Sequence, residues 1–141
     1  MSSGNSKVPE PQNLRAAEVR DKIAQHILQL EELKERVLNL RMKRVRAHLD
    51  RVRNNEENSE LKRSKIKTIR DHILYSRHLI KLTSKSIDLM SEHLAIYQFH
   101  QQQQKRDEVM QSIIKISSRN DSWIRELENE IRVAEAKLGV L

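Results

Sequence analysis

From residue 12 to residue 138 the chain contains neither glycine nor proline: Gly4, Pro9 and Pro11 come before that stretch and Gly139 after it. Glycine supplies the positive-φ turns of sheet folds, and proline interrupts helical hydrogen bonding. Their joint absence over such a length reads as long helix. β-Sandwiches and Rossmann folds, which depend on glycine-bearing turns, are excluded, and so are disulfide scaffolds and cysteine-ligated zinc modules, because the chain has no cysteine. Only Tyr75, Tyr97, Phe99 and Trp123 are aromatic. The other large apolar residues are mostly Leu, Ile and Val in narrow stripes, the distribution found in extended bundles and coiled coils. The expected fold class is all-α: an elongated helical hairpin or coiled coil with a third, C-terminal helix.

Residues 1–12, MSSGNSKVPEPQ, are too poor in apolar side chains to offset the entropy of ordering and are expected to form a disordered tail. A first coiled-coil helix is expected over 13–53, with Asn13 as its N-cap. Its seam runs through Ala16, Val19, Ile23, His26, Leu30, Leu33, Val37 and Leu40 at spacings of three and four, with one polar member. Past Leu40 the apolar stripe changes phase and passes to Met42, Val45, Leu49 and Val52, as at a stutter. Residues 53–60, RNNEENSE, hold no apolar side chain, which places a turn at 54–59 with Asn58 or Ser59 capping the next helix.

A second long helix is expected over 60–117. It carries Ile66, Ile73, Ile80, Ile87 and Leu94 at one heptad position, and Ile69, Ser76, Thr83, Met90 and Tyr97 at the other. The small polar Ser76 and Thr83 favour specificity of pairing over strength. The polar stretch QFHQQQQKRDE at 98–108 is open between solvated helix and break. SSRNDS at 117–122 offers capping residues ahead of a last helix over 121–138, and Ile124, Leu127, Ile131, Ala134, Leu138 and Leu141 form a third seam.

Apolar seams of this kind need cover. The partner-helix contacts expected from sequence are Ile66, Ile69, Ile73, Ile80, Ile87, Met90, Leu94, Tyr97, Ile124, Leu127, Ile131 and Leu138, with other helical subunits favoured over copies of this chain. A self-contained three-helix bundle is the alternative. Charge supplies a second expectation. Residues 41–70 carry eleven bases (Arg41, Lys43, Arg44, Arg46, Arg51, Arg53, Lys62, Arg63, Lys65, Lys67 and Arg70) against four acids, which accounts for the whole net charge of +7. A turn at 54–59 would gather these bases at one tip, suited to nucleic acid, an anionic membrane or an acidic protein tail and weakened by salt. Solvated surface is the plain alternative, because long helices in water are ordinarily rich in Lys and Arg.

No catalytic, cofactor or small-molecule signature stands out. The six histidines, His26, His48, His72, His78, His93 and His100, form no i,i+3 or i,i+4 pair that could seat a metal ion. The expectation is therefore a non-catalytic structural or adaptor subunit of a multi-protein complex, of the tethering, cytoskeletal or kinetochore kind, with no cofactor. No apolar run approaches the ~20 residues of a membrane span. A cytoplasmic location is expected, with the nucleus as alternative because RMKRVR and KRSKIK pass for import signals.

Leu82-Thr83-Ser84, Met90-Ser91-Glu92 and Lys105-Arg106-Asp107 resemble, in type and spacing, part of the pattern of the KxDL-motif family, whose members are short helical subunits of lysosome-positioning assemblies. The resemblance covers under a fifth of the chain, Glu108 stands where the family has leucine, and the upstream part of the pattern is missing. It carries no family assignment.

Overall fold

The computed structural model describes residues 9–54 and 60–141, with side chains from Arg15 onward in the first helix. These residues form three α-helices and no strand: α1 (Pro9–Arg53), α2 (Glu60–Phe99) and α3 (Gln103–Gly139). The all-α class expected from the missing glycines and prolines is what the chain adopts.

Helix α1 begins at Pro9, so residues 9–12 of the expected tail are helical and Asn13 lies inside the helix rather than at its cap. Both prolines fall in the first turn, where backbone N–H groups have no intrahelical acceptor and a missing donor costs nothing. At the other end the Asn54 N–H donates to the Asp50 carbonyl at 2.9 Å and closes the last turn. The rest of the expected turn, with the expected caps Asn58 and Ser59, lies outside the described residues, as does the tail before Pro9.

The open question at 98–108 resolves into a break of three residues, 100–102. Tyr97 is the last buried side chain before it and Met110 the first after it, so nothing in between anchors a continuous helix to the core. The break has its own hydrogen bonds. The Gln102 N–H donates to His100 Nδ1 at 3.1 Å, and the Gln102 carbonyl accepts the first bond of α3 from the Arg106 N–H, also at 3.1 Å. The Arg106 guanidinium lies 4.7 Å from the centre of the Tyr97 ring, a cation–π contact joining the start of α3 to the end of α2.

By contrast, α3 runs unbroken through 117–122, where the sequence suggested an end and a fresh cap. Asn120 explains why. It sits in phase with Met110, Ile113, Ile116, Ile124, Leu127, Ile131 and Ala134, is fully buried, and its amide donates to Met90 Sδ at 3.7 Å. A polar side chain that is a core member looks like a cap when only its type is read.

The helices pack as two compact units, each taking one segment from every helix. The described part of the first comprises residues 9–28 and 84–122, with a core that includes Ile23, Met90, Tyr97 and Ile113. The second comprises residues 29–54, 60–83 and 123–141, around Leu33, Val37, Ile69, Leu127 and Ile131. In the second unit Tyr75 and His72 of α2 meet Glu126 and Glu130 of α3, so these two segments run in opposite senses.

Candidate docking surface

The seams are satisfied inside this chain. Of the twelve residues expected to await a partner helix, Ile66, Ile69, Ile73, Ile87, Met90, Leu94, Tyr97, Ile124, Leu127 and Ile131 are buried among the chain's own helices, and Ile80 and Leu138 are half-buried. At the Ile80 step the core takes Leu79 instead. Ser76 and Thr83 are fully buried, and the Ser76 hydroxyl satisfies itself on the His72 carbonyl at 2.8 Å. Three helix segments meet in each unit and cover the ten buried ones.

Helix α1 leaves a different apolar stripe uncovered. Up to Leu40 its seam points inward as the sequence suggested, with Ala16, Val19, Ile23, His26, Leu30, Leu33, Val37 and Leu40 all buried. Continuing the same inward phase past Leu40 leads to Arg44, Ala47 and Arg51, not to the apolar residues. Leu38, Met42, Val45, Leu49 and Val52 lie roughly 150° away around the helix at its 3.6 residues per turn. They are 51%, 56%, 47%, 54% and 42% exposed. Five of the fourteen exposed large apolar side chains among the described residues thus fall within fifteen residues of one helix face. Leu38, Met42, Val45 and Leu49, with Arg41, Arg44, Arg46, Asp50 and Arg53, line a shallow surface groove of about 650 Å³.

The bases of the window line several clefts, three of which share lining residues and so adjoin. Arg41, Arg46 and Arg53 flank the apolar stripe. Arg44, Arg51, Arg63, Lys67 and Arg70 come together with His48 in a cleft formed by α1 and α2, which shares Arg44 with the apolar groove. Lys62 lines a third recess beside Asp50, and Lys43 a fourth beside Arg36 and Glu135. Lys65 is exposed and lines none of these four clefts.

Several polar groups hold the helices to one another. In the first unit the Nε2 of fully buried His26 lies 2.8 Å from Asp121 Oδ1, and Lys22 Nζ lies 3.2 Å from the same oxygen. Burial pushes the Asp121 carboxyl up, but the hydrogen bonds from His26 and Lys22 outweigh it and hold the group below the usual aspartate range. Arg119 of α3 donates to the Ser86 hydroxyl at 2.8 Å. In the second unit His72 Nδ1 meets Glu130 at 2.8 Å, and the Tyr75 hydroxyl donates to Glu126, which raises the Tyr75 pKa. Arg36 grips Glu135 through two bonds of 2.6 and 3.2 Å. The histidines engaged in this way serve helix contacts, and among the described residues no three His, Asp or Glu side chains come together as metal ligands would. Nor is any helix among them long and apolar enough to cross a membrane.

The chain has no match among protein-family models, curated proteins or solved structures. The uncovered stripe was visible in sequence as the change of phase past Leu40. What sequence reasoning missed is that packing keeps the old phase.

Proposed function

We propose that the chain is a non-catalytic helical adaptor or scaffold subunit of a multi-protein assembly, meeting its partner by coiled-coil pairing. The observation that carries this reading is the exposed stripe Leu38, Met42, Val45, Leu49 and Val52, left uncovered while twenty-two other apolar residues among those described are buried. Surface apolar residues scattered singly are ordinary, but a contiguous row at seam spacing is the mark of an interaction site. Its partner is a different helical protein, and the cytoplasm or nucleus its compartment. The native size of the chain tests the reading. Extracted gently from its source, the 16.7 kDa chain is expected to migrate in a larger assembly that persists in high salt. Migration as a lone chain at every salt concentration would overturn it.

A second reading rests on the cleft where Arg44, Arg63, Lys67 and Arg70 converge from two helices. Such a cluster suits an acidic surface such as nucleic acid, an anionic membrane or an acidic protein tail, and binding there would weaken steeply with salt. Replacing Arg44, Lys67 and Arg70 by Glu is expected to abolish binding to duplex DNA or anionic vesicles without altering helix content. No such binding by the unaltered chain would end this reading.

A further inference from the structure

Resting on the assembly reading above, we propose that the outward face of α1 over residues 38–52 docks one amphipathic helix of another protein, flanked by acidic residues. The spacing supports a helix as occupant. Leu38, Met42, Val45, Leu49 and Val52 follow one another at intervals of four, three, four and three, a two-position seam about 21 Å long at the rise of a helix. Helices that lie in a membrane surface present a broader apolar face and commonly Trp or Phe, whereas this stripe is narrow and has no aromatic residue.

The flanking positions supply the choice of partner. In the heptad defined by the stripe, the residues bordering it are Asn39, Arg41, Arg46, His48 and Arg53, with no acid among them. Arg53 reaches Asp50 at 3.5 Å, and among the described residues Arg41 and Arg46 reach no carboxylate. Flanking charges determine which helices pair and in which direction. A second copy of this chain would set Arg41 against Arg46 in a parallel pair, or like residues against each other in an antiparallel one. Either arrangement is repulsive, so self-pairing is opposed and a helix with Glu or Asp at these positions is favoured.

The test uses the full chain and two labelled four-heptad peptides. Both carry Leu at the seam positions, one with Glu and the other with Lys at the flanks, and binding is followed by fluorescence anisotropy. The Glu peptide is expected to bind at least about tenfold more tightly than the Lys peptide, and R41E/R46E to invert that order. V45S/L49S keeps every charge and is expected to abolish binding of both peptides. Unchanged helix content and Tm in these surface variants confirm that the fold is intact. Equal binding of the two peptides, or retention in V45S/L49S, would overturn the proposal. So would uptake by phosphatidylserine vesicles through these residues with neither peptide bound, or a dimer of the chain that V45S/L49S dissociates. Native assembly separates the two levels of argument. If the chain stays in a large complex when V45S/L49S is introduced, the subunit reading stands and the stripe is not its docking face.

Discussion

Helix α1 contains two stretches with the same three-and-four spacing of apolar residues that do opposite things. Over residues 16–40 the seam from Ala16 to Leu40 points inward and is buried; over residues 41–53 the inward positions are Arg44, Ala47 and Arg51, while Met42, Val45, Leu49 and Val52 face solvent. Both stretches look equally like coiled coil, because both keep intervals of three and four. The difference lies in phase. A helix held by its first forty residues cannot rotate to bury a stripe that arrives roughly 150° out of step, so the second stripe stays outside and is available for another chain.

The sharpest way to break that comparison is to place the same charge on each stripe. Val37→Asp buries an unpaired carboxylate in the second unit and is expected to cost more than about 3 kcal/mol, enough to unfold the unit. Leu49→Asp, on the outward stripe, is expected to change stability by less than about 0.5 kcal/mol. Thermal melts followed by circular dichroism decide the matter. Equal losses in the two variants would show that the outward stripe is part of the core.

A smaller effect tests how the inward stripe tolerates its single polar member. His26 is fully buried, and Asp121 is its hydrogen-bond partner. Asp121→Ala strands the imidazole and is expected to cost about 2 kcal/mol in urea unfolding. Combining it with His26→Leu is expected to recover part of that loss, which gives a double-mutant cycle with a measurable coupling. Additive losses would mean that the contact contributes nothing.

The same pair has a pH signature. Asp121 is held below the ordinary aspartate range when folded, so its contribution is present above the unfolded value of about 3.9 and is lost as the pH falls through the folded value. Unfolding at pH 7 and pH 3 is expected to reveal a larger acid loss in the unaltered chain than in Asp121→Ala. An identical loss in both would place the acid sensitivity elsewhere.

Much of this was legible in the sequence, for reasons that can be assigned residue by residue. The absence of glycine and proline from 12 to 138 left little but helix, and the seam from Ala16 to Leu40 lies where its spacing put it. Asn120 stands in a run of cap-forming residue types, and only packing reveals it as a core residue touching Met90. Leu79 displaced Ile80 for a related reason. A helix contacting two neighbours buries a wider face than a two-position seam describes. The seams of α2 and α3 were assigned to another chain because sequence periodicity identifies an apolar face without saying whose helix covers it.

The weakest expected effect concerns how α1 meets α3 on either side of Leu40. Arg36, ahead of Leu40, binds Glu135 through two hydrogen bonds and is the main cause of its lowered pKa; Lys43, beyond Leu40, adds a Coulombic contribution without a bond. Both members of the bonded pair are more than a third exposed, at 36% and 41%, so solvent screens it strongly. Glu135→Gln is expected to lower stability by about 0.5 kcal/mol at low salt, and by less once added salt shortens the screening length. Arg36→Gln should reproduce most of that loss and Lys43→Gln only a fraction, measured by urea unfolding at two salt concentrations. If Lys43→Gln proved the more costly, α1 would hold α3 beyond Leu40 as firmly as before it. The contrast between the two stretches would then lie in the phase of their apolar residues and not in how firmly each holds α3.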